Sequence, residues 1–152
     1  MSSVSSDKIY LDNLAVGLEF HSGEQPVEAD QIIAFASQFD PQPFHLDAEA
    51  AKGTFFQGLV ASGWHTMAIT MKLIVESVPF ADGIIGAGGE ISWPRPTRPG
   101  DTLYVRSSVL EITPSRSKPD RAIVTVECLT FGQDDEVRQK FTTKLVAFRK
   151  KD

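Results

Sequence analysis

Between Gly63 and Val78 the chain places Trp64, Met67, Ala68, Met71, Ile74, Val75 and Val78 at i, i+3, i+4 and i+7 spacing, the signature of a helix. Thr66, Ile69, Thr70 and Leu73 fill much of the other side, so that only His65, Lys72 and Glu76 form a thin polar stripe. A helix this apolar must be wrapped over most of its surface, and that requirement limits the fold more than any other feature of the chain. The wrapping material lies downstream. Three alternating runs, Thr102 to Thr113, Arg121 to Gly132 and Val137 to Arg149, read as long strands. Their connections, residues 114–120 and 133–136, are polar and short enough for antiparallel hairpins. Helices before strands make an α+β fold, an antiparallel sheet wrapped around one long central helix. Leu18 to Val27, closed by Pro26, reads as an edge strand. Ile84 to Trp93 reads as a strand broken by Gly86, Gly88 and Gly89, either bent or approached closely by other backbone. Those glycines do not make a dinucleotide fingerprint, which needs a strand before them and a helix after.

No composition break or linker divides the 152 residues, and a hydrophobic content of 41% supports one core, so residues 1–152 are expected to form one domain with residues 1–8 mobile. The net charge is −5, and the one basic run is Arg149-Lys150-Lys151, which leaves no electrostatic footprint for nucleic acid or an anionic membrane surface. Met1 to Lys8 lacks the pattern of a signal peptide, and no run of about 18 apolar residues could span a bilayer. A cytoplasmic location is therefore expected. Cys128 stands alone in an alternating run, as a small buried hydrophobe. His21 fits an edge strand and His65 a polar-stripe or packing position. Neither has acids at ligand spacing, so no metal is expected.

The chemistry concentrates just before the central helix. Asp30 to Phe39 carries Ile32, Phe35, Ala36 and Phe39 at helical spacing and stops at Asp40-Pro41. In Asp40-Pro41-Gln42-Pro43-Phe44-His45 two prolines fix φ and bar a helix, which sets Asp40 and His45 on a stiff loop. Asp47 then caps a short turn, Ala48 to Lys52, closed by Gly53. Model carboxyl and imidazole groups titrate near about 3.9 and about 6.5, so one can be anionic while the other is neutral and the pair can share a water. Ser62 and Gly63 open the central helix, where unpaired N–H groups and the positive end of the dipole favour a negative oxygen.

This arrangement resembles the MaoC-like (R)-specific enoyl-CoA hydratase family, whose fold is the hot-dog, a sheet around a central helix. The resemblance rests on Phe35-Ala36, on Asp40-Pro41-Gln42-Pro43-Phe44-His45-Leu46-Asp47, on Gly63, and on the Pro-rich Trp93-Pro94-Arg95-Pro96-Thr97-Arg98-Pro99-Gly100-Asp101 that leads into the meander. Three positions depart from the family pattern. Gln42 replaces the usual Asn, with the same donor and acceptor one methylene further out. Ser62 stands where a His often precedes the helix Gly, and Met71 where some members carry a Ser near the substrate.

The resemblance implies a hydro-lyase that adds water to a trans-2-enoyl thioester or removes it from an (R)-3-hydroxyacyl thioester. Asp40 would take a proton from water, His45 would hold that water and exchange a proton with the α-carbon, and the Gly63 N–H would bind the thioester oxygen. Gln42, Phe44, Ser62, Trp64, Met67 and Met71 would border the substrate. Arg95 and Arg98 either meet the phosphates of coenzyme A or are solvated loop charges. No cofactor is implied beyond the coenzyme A or acyl carrier protein thioester that serves as substrate. Hot-dog proteins usually pair, so a homodimer or a multiple of it is expected. Two other classes are a hot-dog thioesterase and a non-catalytic acyl-binding or assembly subunit. A thioesterase of this fold usually carries its acid on the central helix, where this chain has only Glu76 near the far end.

Overall fold

A computed structural model describes residues 7–151, so the mobility expected of residues 1–8 falls mostly outside the described residues. Four helices, α1 (Ala29–Phe39), α2 (Pro43–Leu46), α3 (Ala48–Ala51) and α4 (Gly63–Ser77), precede most of the sheet. Strands β1 (Glu19–His21) and β2 (Gln25–Pro26) come before them, and β3 (Gly86–Ser92), β4 (Thr102–Pro114), β5 (Arg121–Phe131) and β6 (Val137–Phe148) follow. The expected meander is present: β4, β5 and β6 pair antiparallel in sequence order, with Val109 opposite Val126 and Cys128 opposite Phe141. The sheet runs β1-β4-β5-β6-β3, with β2 also on β4. Alternation does the folding work. Ala122, Val124, Val126 and Cys128 of β5 are buried beside Val105 and Val109 of β4 and Leu145 and Ala147 of β6, all against Leu73 and Ile74 of α4. The result is the hot-dog arrangement.

Three expectations need correction. The single edge strand over Leu18 to Val27 is two short strands on β4, because Ser22 to Glu24 leave the ladder and the Ser22 hydroxyl accepts the Val105 N–H instead. His45 does not sit on a helix-free loop. Pro43 occupies the first position of α2, where a missing N–H costs nothing and its φ suits a helix, so the two prolines admit one turn. The third concerns α4. Its buried side is His65, Thr66, Thr70, Leu73 and Ile74, whereas Trp64 (58% exposed), Ala68 and Val75 (56% exposed) face outward. Apolar residues all round a helix cannot indicate which side the sheet will cover. Of the two readings given to His65, the packing one holds: it stacks on the Phe35 ring of α1 at 4.8 Å between centroids. Its Nδ1 has no partner among the described residues, and burial pushes its pKa down, which keeps it neutral.

Both readings of the β3 glycines hold. The register with β6 shifts between Gly86 and Gly88, and a Cβ at Gly89 would stand 2.6 Å from the Thr142 carbonyl oxygen.

Candidate active site

Asp40 ends α1, the point where Pro41 forbids another turn, and α2 follows immediately to carry His45. The Nε2 of His45 lies 3.3 Å from Asp40 Oδ2, with the imidazole almost fully buried and the carboxylate mostly so. Its other nitrogen, Nδ1, lies 2.7 Å from the Val60 carbonyl oxygen. A carbonyl only accepts, so Nδ1 carries a hydrogen, and in the neutral form of the ring a lone pair on Nε2 is turned toward Asp40. Two acceptors then face one space, and a water can donate to both. Burial alone would raise the Asp40 pKa. Hydrogen bonds from Gln42 (Nε2 to Oδ1, 2.5 Å) and Ser62 outweigh it, joined by the charge of His45 in its protonated form, and hold the carboxyl below its ordinary value of 3.8. Asp40 is thus a carboxylate throughout the neutral range.

The first turn of α4 can be accounted for donor by donor. The Trp64 N–H goes to the Ser62 hydroxyl at 3.2 Å, and those of His65 and Thr66 go to the Ser62 carbonyl at 2.9 and 3.1 Å. Gly63 N–H is left without a partner among the described residues, at the end of the helix where a developing negative charge is best placed. Asp40, His45 and Gly63 all line one cavity of about 490 Å³, together with Trp64, Thr66, Trp93 and Arg95.

The other expected site residues lie in different places. Gln42 serves Asp40 by hydrogen bond, and Ser62 is fully buried beside it. Phe44 packs edge-on against the His45 ring at 4.6 Å and stays off the cavity wall. Met67 and Met71 line a separate apolar cavity. Arg95 reaches the cavity of Asp40, His45 and Gly63 but pairs with Glu136 at 3.2 Å. Arg98 is engaged elsewhere, donating to the Phe56 carbonyl at 2.8 Å. Sequence reasoning missed Thr66, Thr97 and Trp93, which line the cavity. Trp93 was legible as the end of a strand and the start of the Pro-rich stretch but not as a cavity residue, yet its ring packs so closely on Gly63 that a Cβ there would stand 2.6 Å from it.

The Pro-rich loop from Trp93 to Asp101 fixes this wall. Asp101 accepts from the Arg98 N–H (2.9 Å), Gln133 Nε2 (3.0 Å) and Arg138 Nε (3.1 Å), and both members of the Asp101–Arg138 ion pair are buried. From the anchored loop, the Thr97 carbonyl accepts the Ala61 N–H at 2.8 Å and its hydroxyl accepts that of Thr66 at 3.1 Å. Arg98 and Thr97 thus grip the segment that presents the Val60 carbonyl to His45. Burial would raise the Asp101 pKa, but its Arg98, Arg138 and Gln133 hydrogen bonds and the Arg138 charge bring it below 3.8. A depressed carboxyl stabilises the fold fully above the unfolded value and loses that contribution as pH falls from 3.8 through the lower folded value. Acid unfolding followed by circular dichroism should therefore steepen below that pH. Asp101→Asn should already be destabilised at pH 7 and should show a shallower acid limb; an unchanged acid limb would show that Asp101 does not govern it.

An acid–imidazole pair and an unpaired helix N-terminal N–H thus meet on a hot-dog scaffold, the class of fold to which the chain is assigned. The MaoC like domain model matches residues 15–130, and the chain belongs to that dehydratase family. A MaoC-like dehydratase from Rhodospirillum rubrum has 59% identity and a TM-score of 0.94, over 95% of this chain and 99% of that one. The (R)-hydratase PhaJ1 from Pseudomonas aeruginosa has 26% identity and a TM-score of 0.76, over 94% and 88% of the two chains. The uncharacterized protein YdeM of Bacillus subtilis is 37% identical over 128 residues, 82% of this chain and 89% of its own.

Proposed function

We propose that this chain is an (R)-specific hydro-lyase acting on a trans-2-enoyl or (R)-3-hydroxyacyl thioester of coenzyme A or an acyl carrier protein. The observation that carries the reading is the meeting in one cavity of the Asp40–His45 pair, with its tautomer set by Val60, and the unpaired Gly63 N–H. In the hydration direction the water oxygen bonds to the β-carbon, and the alkene electron pair shifts toward the thioester. The Gly63 N–H receives the charge that develops on its oxygen. His45 Nε2 holds that water through its lone pair, Asp40 accepts the proton the water gives up, and the Asp40–His45 pair hands that proton on to the α-carbon, which leaves both groups as they began. General acid–base action of this kind is worth about 10² to 10⁴ in rate. The reaction needs no metal or redox group.

The alternatives draw no support from the site. Glu76, the acid of α4, is exposed at the far end of the helix, away from the cavity that a thioesterase would use. Incubation with crotonyl-CoA tests the assignment: enoyl absorbance should fall with no free thiol released. Released thiol would instead mean a thioesterase, and no change across a panel of enoyl thioesters would leave a binding subunit.

A homodimer is part of the same reading. The outward stripe of α4, Trp64, Ala68 and Val75, is apolar, and β3 ends the sheet with its far edge unpaired among the described residues. A second copy covering both would remove them from water. Light scattering at micromolar concentration should return twice the chain mass of 16.7 kDa or a multiple of that; a monomer mass would overturn the assembly.

A further inference from the structure

Trp93, which borders the cavity beside Gly63 and is 39% exposed, is held in place by a hydrogen-bond chain that runs into the core. Trp93 Nε1–H donates to Gln139 Oε1 at 2.9 Å, and Gln139 Nε2 donates to Thr70 Oγ1 at 3.0 Å while touching Met67 Sδ at 3.6 Å. Thr70 in turn shares a hydrogen bond with Thr130 at 2.7 Å. Gln139, Thr70 and Thr130 are completely buried, so Trp93 cannot swing away without stranding a glutamine amide in the interior. Its edge also meets Trp64, with 5.4 Å between ring centroids. Met67 itself lines the second cavity, about 100 Å³, together with Met71, Ile74, Ile84, Phe141 and Leu145. Trp93 borders the catalytic cavity, Met67 borders the second, and Gln139 ties the two together.

We propose that Trp93, fixed by Gln139 and backed by Met67, is the wall that sets acyl length, so that the site takes short-chain thioesters and the second cavity lies beyond their reach. The inference rests on the hydro-lyase reading of the same site. A chain able to enter an apolar tunnel gains about fourfold in affinity for each further methylene it buries. A chain that meets a wall gains nothing.

The test is an affinity ladder, measured by calorimetry with the saturated butanoyl, hexanoyl, octanoyl and decanoyl thioesters of coenzyme A. The wild-type protein, Trp93→Leu and Met67→Ala are compared. Wild-type affinity should stop rising after the shortest chains. In each variant it should climb through octanoyl at a rate near about fourfold per methylene, and turnover of octenoyl-CoA relative to crotonyl-CoA should rise by about tenfold or more. Met67→Ala removes the thioether that Gln139 rests on, enlarges the second cavity and leaves the Trp93–Gln139 bond in place, so it serves if Trp93→Leu fails to fold. A wild-type ladder that climbs steadily to decanoyl, or folded variants that keep the wild-type profile, would overturn the wall. Absence of both binding and turnover at every chain length in the wild type would instead overturn the thioester reading, and the wall with it.

Discussion

Asp40→Asn should lower hydration of crotonyl-CoA by about 10² or more while leaving affinity for a saturated acyl-CoA almost unchanged. The amide cannot take a proton from water, and its geometry works against the site in a second way. Gln42 Nε2 already donates to Oδ1 at 2.5 Å, so the asparagine oxygen should occupy that side and its NH₂ should point at His45 Nε2. A donor there would occupy the lone pair that otherwise holds the water, so the substitution disables both groups. His45→Ala should fall as far. Because the Asp40 pKa is held below 3.8, any acid limb of the wild-type rate above that pH belongs to another group. Steady-state absorbance assays with circular dichroism as the folding control decide the matter. A folded Asp40→Asn with wild-type turnover would remove Asp40 from the chemistry.

The second large effect is at Gly63, and the structure changes how it must be tested. Proline at a helix start is tolerated because the N–H it lacks has no intrahelical partner, so Gly63→Pro should delete the oxyanion donor without breaking α4. Any Cβ at this position, however, runs into the Trp93 ring at 2.6 to 3.0 Å, and that ring is held by Gln139. Gly63→Ala is therefore the necessary partner experiment, since it adds the crowding but keeps the N–H. Both variants should lose turnover. The further loss from alanine to proline reports the donor, and removal of other oxyanion donors suggests about 2.7 to 4 kcal/mol in the activation barrier. Equal turnover in the two folded variants would place the thioester oxygen elsewhere.

Much of the fold was readable because its signals are local. The meander follows from period-two alternation in β4, β5 and β6 and from polar hairpin segments, and the cap of α3 follows from Asp47, whose carboxylate accepts the Glu49 and Ala50 N–H groups. The proline-flanked motif likewise brought Asp40 and His45 to one place. The unreadable parts depend on distant contacts. Nothing near residue 98 says that its guanidinium will be taken by Phe56, and nothing near residue 93 says that an indole will settle on Gly63 thirty residues away. The buried side of α4 was ambiguous for a different reason. Its threonines are satisfied by Thr97, Thr130 and Gln139 from other elements, which makes a polar position as buryable as a leucine.

The group that orients His45 is a main-chain carbonyl, and this has a consequence for how the site can be lost or altered. Every amino acid at position 60 would bring the same oxygen, so the identity of Val60 is free to vary for packing reasons while the imidazole keeps its tautomer. The vulnerable position is one that holds the segment from outside by its side chain: Arg98, through the Phe56 carbonyl. Changes there could silence the reaction while Asp40, His45 and Gly63 all remain in the sequence, so a chain that keeps the full motif but has a different loop between Trp93 and Asp101 need not keep the chemistry.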